Sequence, residues 1–581
     1  MSALLKKRSK EKVEVATAAT QPSTTILPSS SFSPRLVLTL FGIALLSAAT
    51  LYNRSTQPAY ALCTPGTRKT IYTVDASNSQ VQCLVVRGAR IVDTGDLEDV
   101  KSRWDGPELN VKYLNEGEVV VPGMSDSHCH ILEYGASQLV SLQDGKSVQG
   151  MPHLPNREYL FAIETNLNLT ETVQILADYI NADPILSKDL TKVVEGWGYD
   201  HASWDIPVLP TAVGVSHELA DLADLEANPT TRGRQIMLSG RDGHSLWVSA
   251  ATLAANKPYP KEIEGGVIMS DKEGNPTGVF LDTAMDLIKR PTLTHSDRKA
   301  RFKTTVAHAL RSGLTTLHDA GFKPESFDFF SMDDSREAER APLPLRIYGM
   351  RYFDIDENAE YWGNKTKPLT ARFRGDEPGT RLSSRSVKIF ADGGAALYEP
   401  YADNPSTSGL MRISPETLHR VVPDFLRDGW QVNIHAIGDR ANGIVLDSFE
   451  LAGRKLGVDI RALRPRIEHV QIIAEKDMHR LGELGIIASI QPTHATSDMW
   501  YGQDRLGPER VKGLYAFRNL MSGGARITLG SDFPVEEVNP LAGFFAAITR
   551  VAKEGTSPHG PGGWFPEQKL TRLEALRGAF Y

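Results

Sequence analysis

The sequence contains little cysteine and no long block of basic residues. Its 581 residues include three cysteines, too few for a disulfide-stapled scaffold or for a zinc site made of four cysteines. The 64 Lys and Arg against 71 Asp and Glu give a net charge of −7, and a mildly acidic chain without a basic block is a poor nucleic-acid binder. We therefore expect no nucleic-acid partner, and any metal held mainly by histidine and carboxylate.

The composition is otherwise that of a folded protein with a large core. Hydrophobic residues make up 41% of the chain and charged residues 23%, as in ordinary globular proteins. No internal repeat of roughly 20–50 residues is evident. The length would suit about four average domains, although one α/β barrel can use well over ~250 residues.

The N-terminal region has the pattern of a membrane-targeting segment. Residues 1–35 are basic and rich in Ser, Thr, Pro and Ala, as in a disordered cytoplasmic tail, and residues 36–52 are uncharged (LVLTLFGIALLSAATLY). This run is at the short end for a transmembrane helix, and its basic flank follows the positive-inside rule. We expect a single-pass signal-anchor with the body on the lumenal or extracellular side. A signal peptide cut near Ala59-Tyr60-Ala61, giving a secreted protein, and a buried helix remain alternatives.

Glycosylation motifs and a possible cysteine pair also fit translocation of the body. Residues 53–69 are predicted to be a linker after the anchor. Glycosylation motifs begin at Asn53, Asn168 and Asn364, as in a glycoprotein. Cys63 and Cys83 can pair in an oxidising lumen.

The body of the chain has the pattern of a barrel. Residues 70–120 hold short β-rich runs, which predict part of a small β-sandwich unit. From 121 to 581, apolar β-type runs alternate with helical patterns, and this alternation predicts an α/β fold, a (β/α)8 TIM barrel. Residues from about 135 to 300 interrupt it after the first strand and are predicted to be an inserted subdomain over the barrel mouth. The eight candidate strands are 116–126, 313–319, 344–351, 385–392, 430–436, 464–470, 486–491 and 526–532.

Residues able to bind a metal stand at the ends of these strands. His128 and His130 follow the first strand, and residues i and i+2 of a strand point to the same face. Lys388, His435, His469 and Asp532 end four later strands. Barrel active sites lie at the C-terminal ends of the strands, so the set predicts a metal site at the barrel mouth.

The same residues carry a family resemblance. From about residue 70 to the end, the sequence resembles the metal-dependent amidohydrolase superfamily, and within it amidohydrolase family 3, the group similar to N-substituted formamide deformylase. The ordered motifs are PGMSDSHCH (122–130), GLTT (313–316) with Asp319, Val387-Lys388 to Asp392-Gly393, HAIGD (435–439), RIEHVQ (466–471) and GSDFP (530–534), with GWGYD (196–200) and DGHSLW (242–247) in the insert.

The resemblance implies a ligand set and a cofactor. His128, His130 and Asp532 would hold one divalent metal, with Zn as the expected ion, and His435 and His469 would hold a second. Lys388 would bridge the two metals if it is carboxylated. If Lys388 stays unmodified, a single metal is expected.

The resemblance also implies a reaction. The metal would activate water, Asp532 would take its proton and deliver it to the leaving nitrogen, and Lys388 and His469 complete the predicted catalytic residues. The expected enzyme is an amidohydrolase that cleaves non-peptide carbon–nitrogen bonds of a small amide- or formamide-type substrate. A lactone or ester hydrolase and an inactive membrane-anchored barrel with a binding role are the alternatives.

Other candidate residues keep two interpretations each. His244 lines a substrate pocket or caps a turn, and Trp197 and Tyr199 line that pocket or belong to the core. Asp319 is expected to be structural, and Asp392 either supports Lys388 or fixes the turn after it. The resemblance implies further β-strands beyond Tyr581, so the small β-unit is expected to be incomplete at the C-terminus. Substrate identity and oligomeric state stay unknown.

Overall fold

The computed structural model describes residues 58–139, 159–162, 169–199, 225–335, 343–353, 361–369 and 381–580. They fall into two compact units. The first contains, among the described residues, 58–69 and 81–118, and the second contains 70–80 and 119–580.

The first unit is a four-stranded sheet with the strand order β5-β4-β1-β6. A disulfide joins Cys63 to Cys83, which are register partners on β1 and β4. The prediction of a linker over residues 53–69 is corrected at 59–63, because alternating burial and this disulfide make AYALC an inner strand. The elements of this unit are β1 Ala59–Cys63, β4 Cys83–Arg87, β5 Arg90–Gly95, α1 Leu97–Arg103 and β6 Asn110–Tyr113. Between β1 and β4 in the chain, β2 Ile71–Tyr72 and β3 Gln80–Val81 form a separate two-stranded sheet.

The second unit is built around an eight-stranded parallel sheet whose strands follow one another in chain order. After its last strand, the amide of Asp532 donates to the carbonyl of His128 (2.7 Å) and the amide of His130 donates to that of Phe533 (2.9 Å). These bonds join the last strand to the first, so the sheet is a nearly closed barrel. Its strands are β7 Met124–Cys129, β14 Leu314–Phe322, β15 Arg346–Tyr352, β16 Leu382–Phe390, β17 Gln431–Ala436, β18 Arg466–His469, β19 Ile487–Ile490 and β20 Arg526–Leu529.

Alternation along these strands separates the core from the site. In β16, Val387 and Ile389 belong to the main apolar core, whereas Lys388 between them is buried among polar groups. In β17, Ile434 is in the same core and His435 is not. Successive side chains of a strand point to opposite faces, so one face packs against helices while the other lines the barrel interior.

Helices follow most of the barrel strands. The helix α5 (His295–Arg311) begins with a capping box. The Thr294 side chain accepts from the amide of Asp297, and the Asp297 side chain accepts from the amide of Thr294. The helices of this unit are α2 Ile131–Leu139, α3 Leu169–Ala182, α4 Ala250–Ala255, α5 His295–Arg311, α6 Pro324–Ser335, α7 Pro415–Arg427, α8 Asp439–Leu456, α9 Met478–Leu484, α10 Pro492–Asp498, α11 Gly502–Arg510, α12 Phe517–Ser522, α13 Pro540–Thr549 and α14 Arg572–Gly578.

The segment between β7 and β14 forms a second sheet of six strands, ordered β12-β13-β11-β10-β9-β8. Its described core includes Val194, Leu238 and Trp247, all fully buried. A separate sheet explains the break in the βα alternation after the first barrel strand. Its strands are β8 Tyr159–Ala162, β9 Val194–Tyr199, β10 Ile236–Gly240, β11 Ser245–Val248, β12 Gly266–Ser270 and β13 Pro276–Asp282.

The prediction of an N-terminal transmembrane helix is corrected. Among the residues that the structure describes, none of the helices combines the length and the apolar character needed to cross a bilayer. Residues 36–52 themselves lie outside the described ranges, as do Asn53 and Asn168. The single-pass membrane location, the signal-anchor and the glycoprotein prediction are therefore left without support, and residues 59–61 of the alternative cleavage motif lie in β1.

Candidate metal centre

The structure places the six predicted ligand residues at the C-terminal ends of barrel strands. His128 lies in β7 and His130 directly follows it, while Asp532 comes three residues after β20. The other three belong to neighbouring strands: Lys388 to β16, His435 to β17 and His469 to β18.

Three of the six form the centre of the cluster. His128, His469 and Asp532 each offer one ligand atom, and these atoms lie within 4.8 Å of one another. All three side chains are buried. Two imidazoles and a carboxylate at this separation are a donor set that suits a divalent metal such as zinc.

The remaining three residues contact this centre. His130 Nε2 lies 3.2 Å from Asp532 Oδ1. The Lys388 ammonium donates to His128 Nε2 at 3.1 Å. The ring of His435 lies 4.4 Å from that of His469, centroid to centroid. All six residues are thus joined by direct contacts.

The hydrogen bonds of the imidazoles leave ring nitrogens available as ligands. His128 Nδ1–H donates to Glu468 Oε2 at 2.7 Å, so Nε2 carries the lone pair that faces Lys388 and the site. His435 Nε2–H donates to the carbonyl of Gly393 at 3.0 Å. Within the described ranges, the buried Nδ1 atoms of His435 and His469 have no hydrogen-bond partner. Buried orphan nitrogens are costly unless something binds them, so these residues fit a metal.

The charge states of the site also fit metal binding. Burial, followed by the charge of Lys388, lowers the pKa of His128 to about 4 and that of His435 well below its usual value. For His469, burial and then His435 lower the pKa. Imidazoles must be neutral to ligate a cation, and these three are neutral at pH 7.

Lys388 and Asp532 differ in their response to burial. Burial lowers the pKa of the Lys388 amine to about 8. Burial alone would raise the pKa of Asp532, but His128 and His130 hold it well below its usual range. Asp532 is therefore an anion at neutral pH, while Lys388 is mostly protonated but has roughly a tenth of its amine uncharged at pH 7, far more than an ordinary lysine.

Two site residues have unusual backbone conformations. His469 has φ 76° and Asp532 has φ 60°, in the left-handed region that non-glycine residues avoid. At His469 this breaks the alternation of β18, so that both Glu468 and His469 approach His128, at 2.7 Å and at a ring separation of 4.9 Å. Such strain costs roughly 1–3 kcal/mol and is concentrated at functional sites.

Glu468 was missed by sequence reasoning. It is fully buried between His128 and Arg466, whose Nη2 donates to its Oε2 at 2.9 Å. The residue was visible inside the motif RIEHV, but strict alternation would have turned Glu468 away from a site containing His469. The left-handed turn at His469 carries no signal in a single sequence.

His494 was also missed. It lies on α10, after β19, and its ring stacks on that of His469 at 5.9 Å. Its Nε2 is 3.9 Å from Asp532 Oδ2 and has no hydrogen-bond partner among the described residues. His494 therefore faces the same carboxylate that the sequence predicts as the base.

The insert contributes His244. Its ring lies 5.5 Å from that of His435, and its Nδ1–H donates to Asp282 Oδ1 at 2.9 Å. His244 thus reaches the metal centre from the second sheet, held by an aspartate that the sequence did not indicate. Trp197 is partly exposed beside the turn at Gly243.

Three further candidates have structural surroundings. Tyr199 is 1% exposed, belongs to the core of the insert and donates to Ser245 Oγ at 2.9 Å. These surroundings fit the core interpretation of Tyr199, and its pocket role stays a prediction. Asp319 is buried and accepts from the amide of Gly321. Asp392 accepts from the amides of residues 396, 437 and 438, which fixes the turn after β16.

The fold and the site together define a class of protein. It is a parallel barrel in which histidines, a lysine and an aspartate meet at the C-terminal ends of the strands. Residues 116–578 match the amidohydrolase family. This match covers most of the chain, and the chain belongs to that family.

Relatives of similar length support this assignment. The chain is 29% identical over 525 residues to Protein LONG AFTER FAR-RED 3 of Arabidopsis thaliana, covering 88% of this chain and 81% of that protein. It is 28% identical to putative amidohydrolase YtcJ of Bacillus subtilis, covering 84% of each chain. It is 25% identical to N-substituted formamide deformylase of Arthrobacter pascens, covering 87% of this chain and 86% of that one. The family match and the names of the last two relatives support a hydrolase.

A solved structure has the same fold. An uncharacterised metal-dependent hydrolase from Pyrococcus horikoshii superimposes with a TM-score of 0.61 at 24% identity, covering 89% of this chain and 91% of that chain.

Proposed function

We propose that this protein hydrolyses a carbon–nitrogen bond of a small amide- or formamide-type molecule at a divalent metal centre. The observation that carries the proposal is the buried cluster of His128, His469 and Asp532, with their ligand atoms within 4.8 Å of one another. His130, Lys388 and His435 contact this cluster and complete the ligand set.

The residues have separate tasks. Neutral imidazoles would hold the cation, and when bound the cation supplies Lewis-acid chemistry and lowers the pKa of water towards ~7. Asp532, an anion with one oxygen facing His130, would accept the proton of the attacking water and return it to the leaving nitrogen. His469 lies beside Asp532 and would orient the carbonyl.

Lys388 sets the number of metals. An ammonium cannot ligate a cation, whereas a carbamate on the same nitrogen has two anionic oxygens. Its Nζ lies 3.1 Å from His128 Nε2 and its pKa is lowered to about 8 by burial. A carboxylated Lys388 would therefore bridge two ions, and an unmodified Lys388 would leave one. Zinc is the metal we propose, since histidine and carboxylate suit it.

The names of two relatives support hydrolysis of a carbon–nitrogen bond. One of them is named N-substituted formamide deformylase, and another is named putative amidohydrolase. By this proposal the products are an amine and a carboxylic acid, which is formate when the substrate is a formamide.

The test uses the full chain, loaded with zinc and freed of excess metal. Bound metal is measured by elemental analysis, and turnover is measured on a panel of N-substituted formamides, other amides, esters and lactones. We expect at least one zinc per chain and turnover of the carbon–nitrogen substrates. Asp532→Asn should lower kcat by ~10²-fold or more.

Three outcomes would contradict the proposal. A wild-type chain that binds no divalent metal would remove its basis. Turnover confined to esters or lactones would assign a different reaction to the same site. A folded, metal-bound chain without turnover on the panel would favour a binding role.

A further inference from the structure

Arg412 stands at the barrel mouth, in the connection between β16 and α7. Its amide donates to the carbonyl of Ala391 at 2.8 Å, and the preceding residue, Met411, bridges to Asp392. From the other side, Gly265 of the insert packs so closely that a Cβ there would lie 2.6 Å from the Arg412 carbonyl. The backbone of Arg412 is thus fixed between the barrel and the insert.

The side chain of Arg412 extends over an aromatic ring next to the metal centre. Its Cζ lies 4.9 Å from the centroid of Phe390. The same ring lies 4.6 Å from Lys388 Nζ and 5.0 Å from the ring of His435. The ring of Phe390 therefore contacts both the guanidinium and two of the predicted metal ligands.

This guanidinium has no counter-charge within the described part of the chain. No carboxylate there forms an ion pair with it, and its Nε is buried without a hydrogen-bond partner. Buried Arg466, in contrast, pairs with Glu468 at 2.8 Å. A partly buried cation is normally paired, because removing a charge from water without a partner is costly.

Apart from the ring of Phe390, two titratable groups sense the charge of Arg412. Besides burial and other charges, the positive charge of Arg412 contributes to lowering the pKa of Lys388 and opposes protonation of His244. Both neighbours are basic groups, so they do not supply the missing negative charge. The carboxylates of the adjoining segments have other partners, since Asp282 accepts from His244 and Asp392 from backbone amides. Among the described residues, the guanidinium therefore has no ion-pair partner of its own.

We propose that Arg412 binds an anionic group of the substrate, a carboxylate or a phosphate, while the bond to be cleaved lies at the metal centre. The proposal deepens the proposed function and rests on it for the reaction. The planar guanidinium presents paired donors that match either anion, and Phe390 offers a flat apolar surface to the part of the substrate between the two ends.

The first experiment compares substrates that differ only in charge. Amides of one length ending in a carboxylate, a phosphate or a neutral carboxamide are assayed with zinc-loaded wild type, Arg412→Gln and Arg412→Lys. We expect wild type to prefer one of the anions, and Arg412→Gln to lower the ratio of anionic to neutral kcat/KM by about 10-fold or more, mainly through KM. Arg412→Lys should keep part of the preference, because it keeps the charge.

A matched control removes the same charge nearby. Arg420 is exposed on α7, so Arg420→Gln should leave the anionic-to-neutral ratio at its wild-type value. An equal drop in Arg420→Gln would assign the effect to the general field of the mouth and overturn the proposal. Thermal unfolding of each variant establishes that it is folded.

The second experiment measures binding without turnover. Succinate, inorganic phosphate and neutral succinamide are titrated calorimetrically into the zinc-loaded proteins. Binding of an anion by wild type that weakens about 10-fold in Arg412→Gln supports the proposal even if no amide on the panel is hydrolysed, so this site and the proposed reaction fail separately. Anion binding that Arg412→Gln leaves unchanged, or no anion preference in wild type by either measurement, would overturn it.

Discussion

Glu468 Oε2 lies 2.7 Å from Nδ1 of His128, and both side chains are buried in the barrel interior. The carboxylate fixes the ring so that Nε2 faces the metal centre. Arg466 forms an ion pair with Glu468, and its Nη2 donates to the same Oε2 at 2.9 Å. Carboxylates that accept from a ligating imidazole orient the ring and raise its basicity, and they affect metal affinity although they do not touch the metal.

Glu468→Gln should weaken metal binding. The amide is nearly isosteric but does not accept a charge-assisted bond from His128, so we expect the zinc dissociation constant to rise roughly 10–100-fold. Competition with a chromogenic chelator measures it. Glu475→Gln, at an exposed position shortly after β18, is the control and should bind zinc like wild type. Unaltered zinc affinity in Glu468→Gln would refute this role.

The number of metals should depend on pH and bicarbonate through Lys388. Only the neutral amine attacks CO2, forming the carbamate and releasing a proton. Since burial lowers the pKa of Lys388 to about 8 from the usual 10.5, about half of the amines are neutral at pH 8, and only a few per cent at pH 6.5. We expect two zinc ions per chain at pH 8.5 with bicarbonate and one at pH 6.5 without it.

Elemental analysis measures the number of zinc ions per chain, and ¹³C NMR with labelled bicarbonate detects the carbamate on Lys388. Lys388→Gln should stay at one metal under both conditions and show no carbamate signal. Two metals in Lys388→Gln, or in wild type at pH 6.5 without bicarbonate, would show that a second ion binds without the carbamate.

His494→Gln should slow the reaction without removing the metal. His494 Nε2 lies 3.9 Å from Asp532 Oδ2 and is otherwise unpaired in the described structure, so the side chain is placed to act with the predicted base. We expect kcat to fall by about 10–100-fold with zinc content unchanged, as measured by steady-state kinetics and elemental analysis. His479→Gln, exposed on α9, should keep wild-type kcat. Equal kcat in both variants would assign His494 to packing alone.

The barrel was predictable because its signals are local. Several strands contain short runs of β-branched or apolar residues. In Val387-Lys388-Ile389 of β16, three successive residues show the alternation between the apolar core and the site. The ligand residues were predictable for the same reason, as they stand where these runs end. The ladder from β7 through β14 to β20 follows from chain order once every strand is parallel.

The supporting residues depend on contacts that no local pattern contains. Asp282 lies 38 residues from His244 in the chain, yet its carboxylate accepts from His244 at 2.9 Å. The approach of Glu468 to His128 needs the left-handed φ of 76° at His469. The strand Ala59–Cys63 was predicted to be linker because it is short and follows the uncharged run of residues 36–52, and its partners β4 and β6 come later in the chain. These features are set by the partner in space, which a single sequence does not reveal.

Gly393 and Gly394 are adjacent in the chain but differ in how closely other residues approach them. A Cβ at Gly393 would lie 1.7 Å from Asp282 Oδ1, whereas a Cβ at Gly394 would have no heavy atom within 4 Å. Asp282 has little freedom to withdraw, because its own φ is 52° and its carboxylate accepts from His244. Gly393→Ala should therefore lower the free energy of unfolding by about 1–3 kcal/mol, as overpacking typically does.

The same substitution should also disturb the site. Displacing Asp282 releases His244 from its position beside His435, so we expect kcat/KM to fall in Gly393→Ala, and both quantities to stay near wild type in Gly394→Ala. Denaturant unfolding and steady-state kinetics measure them side by side. If Gly394→Ala were as damaging as Gly393→Ala, the cause would be the lost backbone freedom of the turn, and the close contact between Gly393 and Asp282 would not explain the effect.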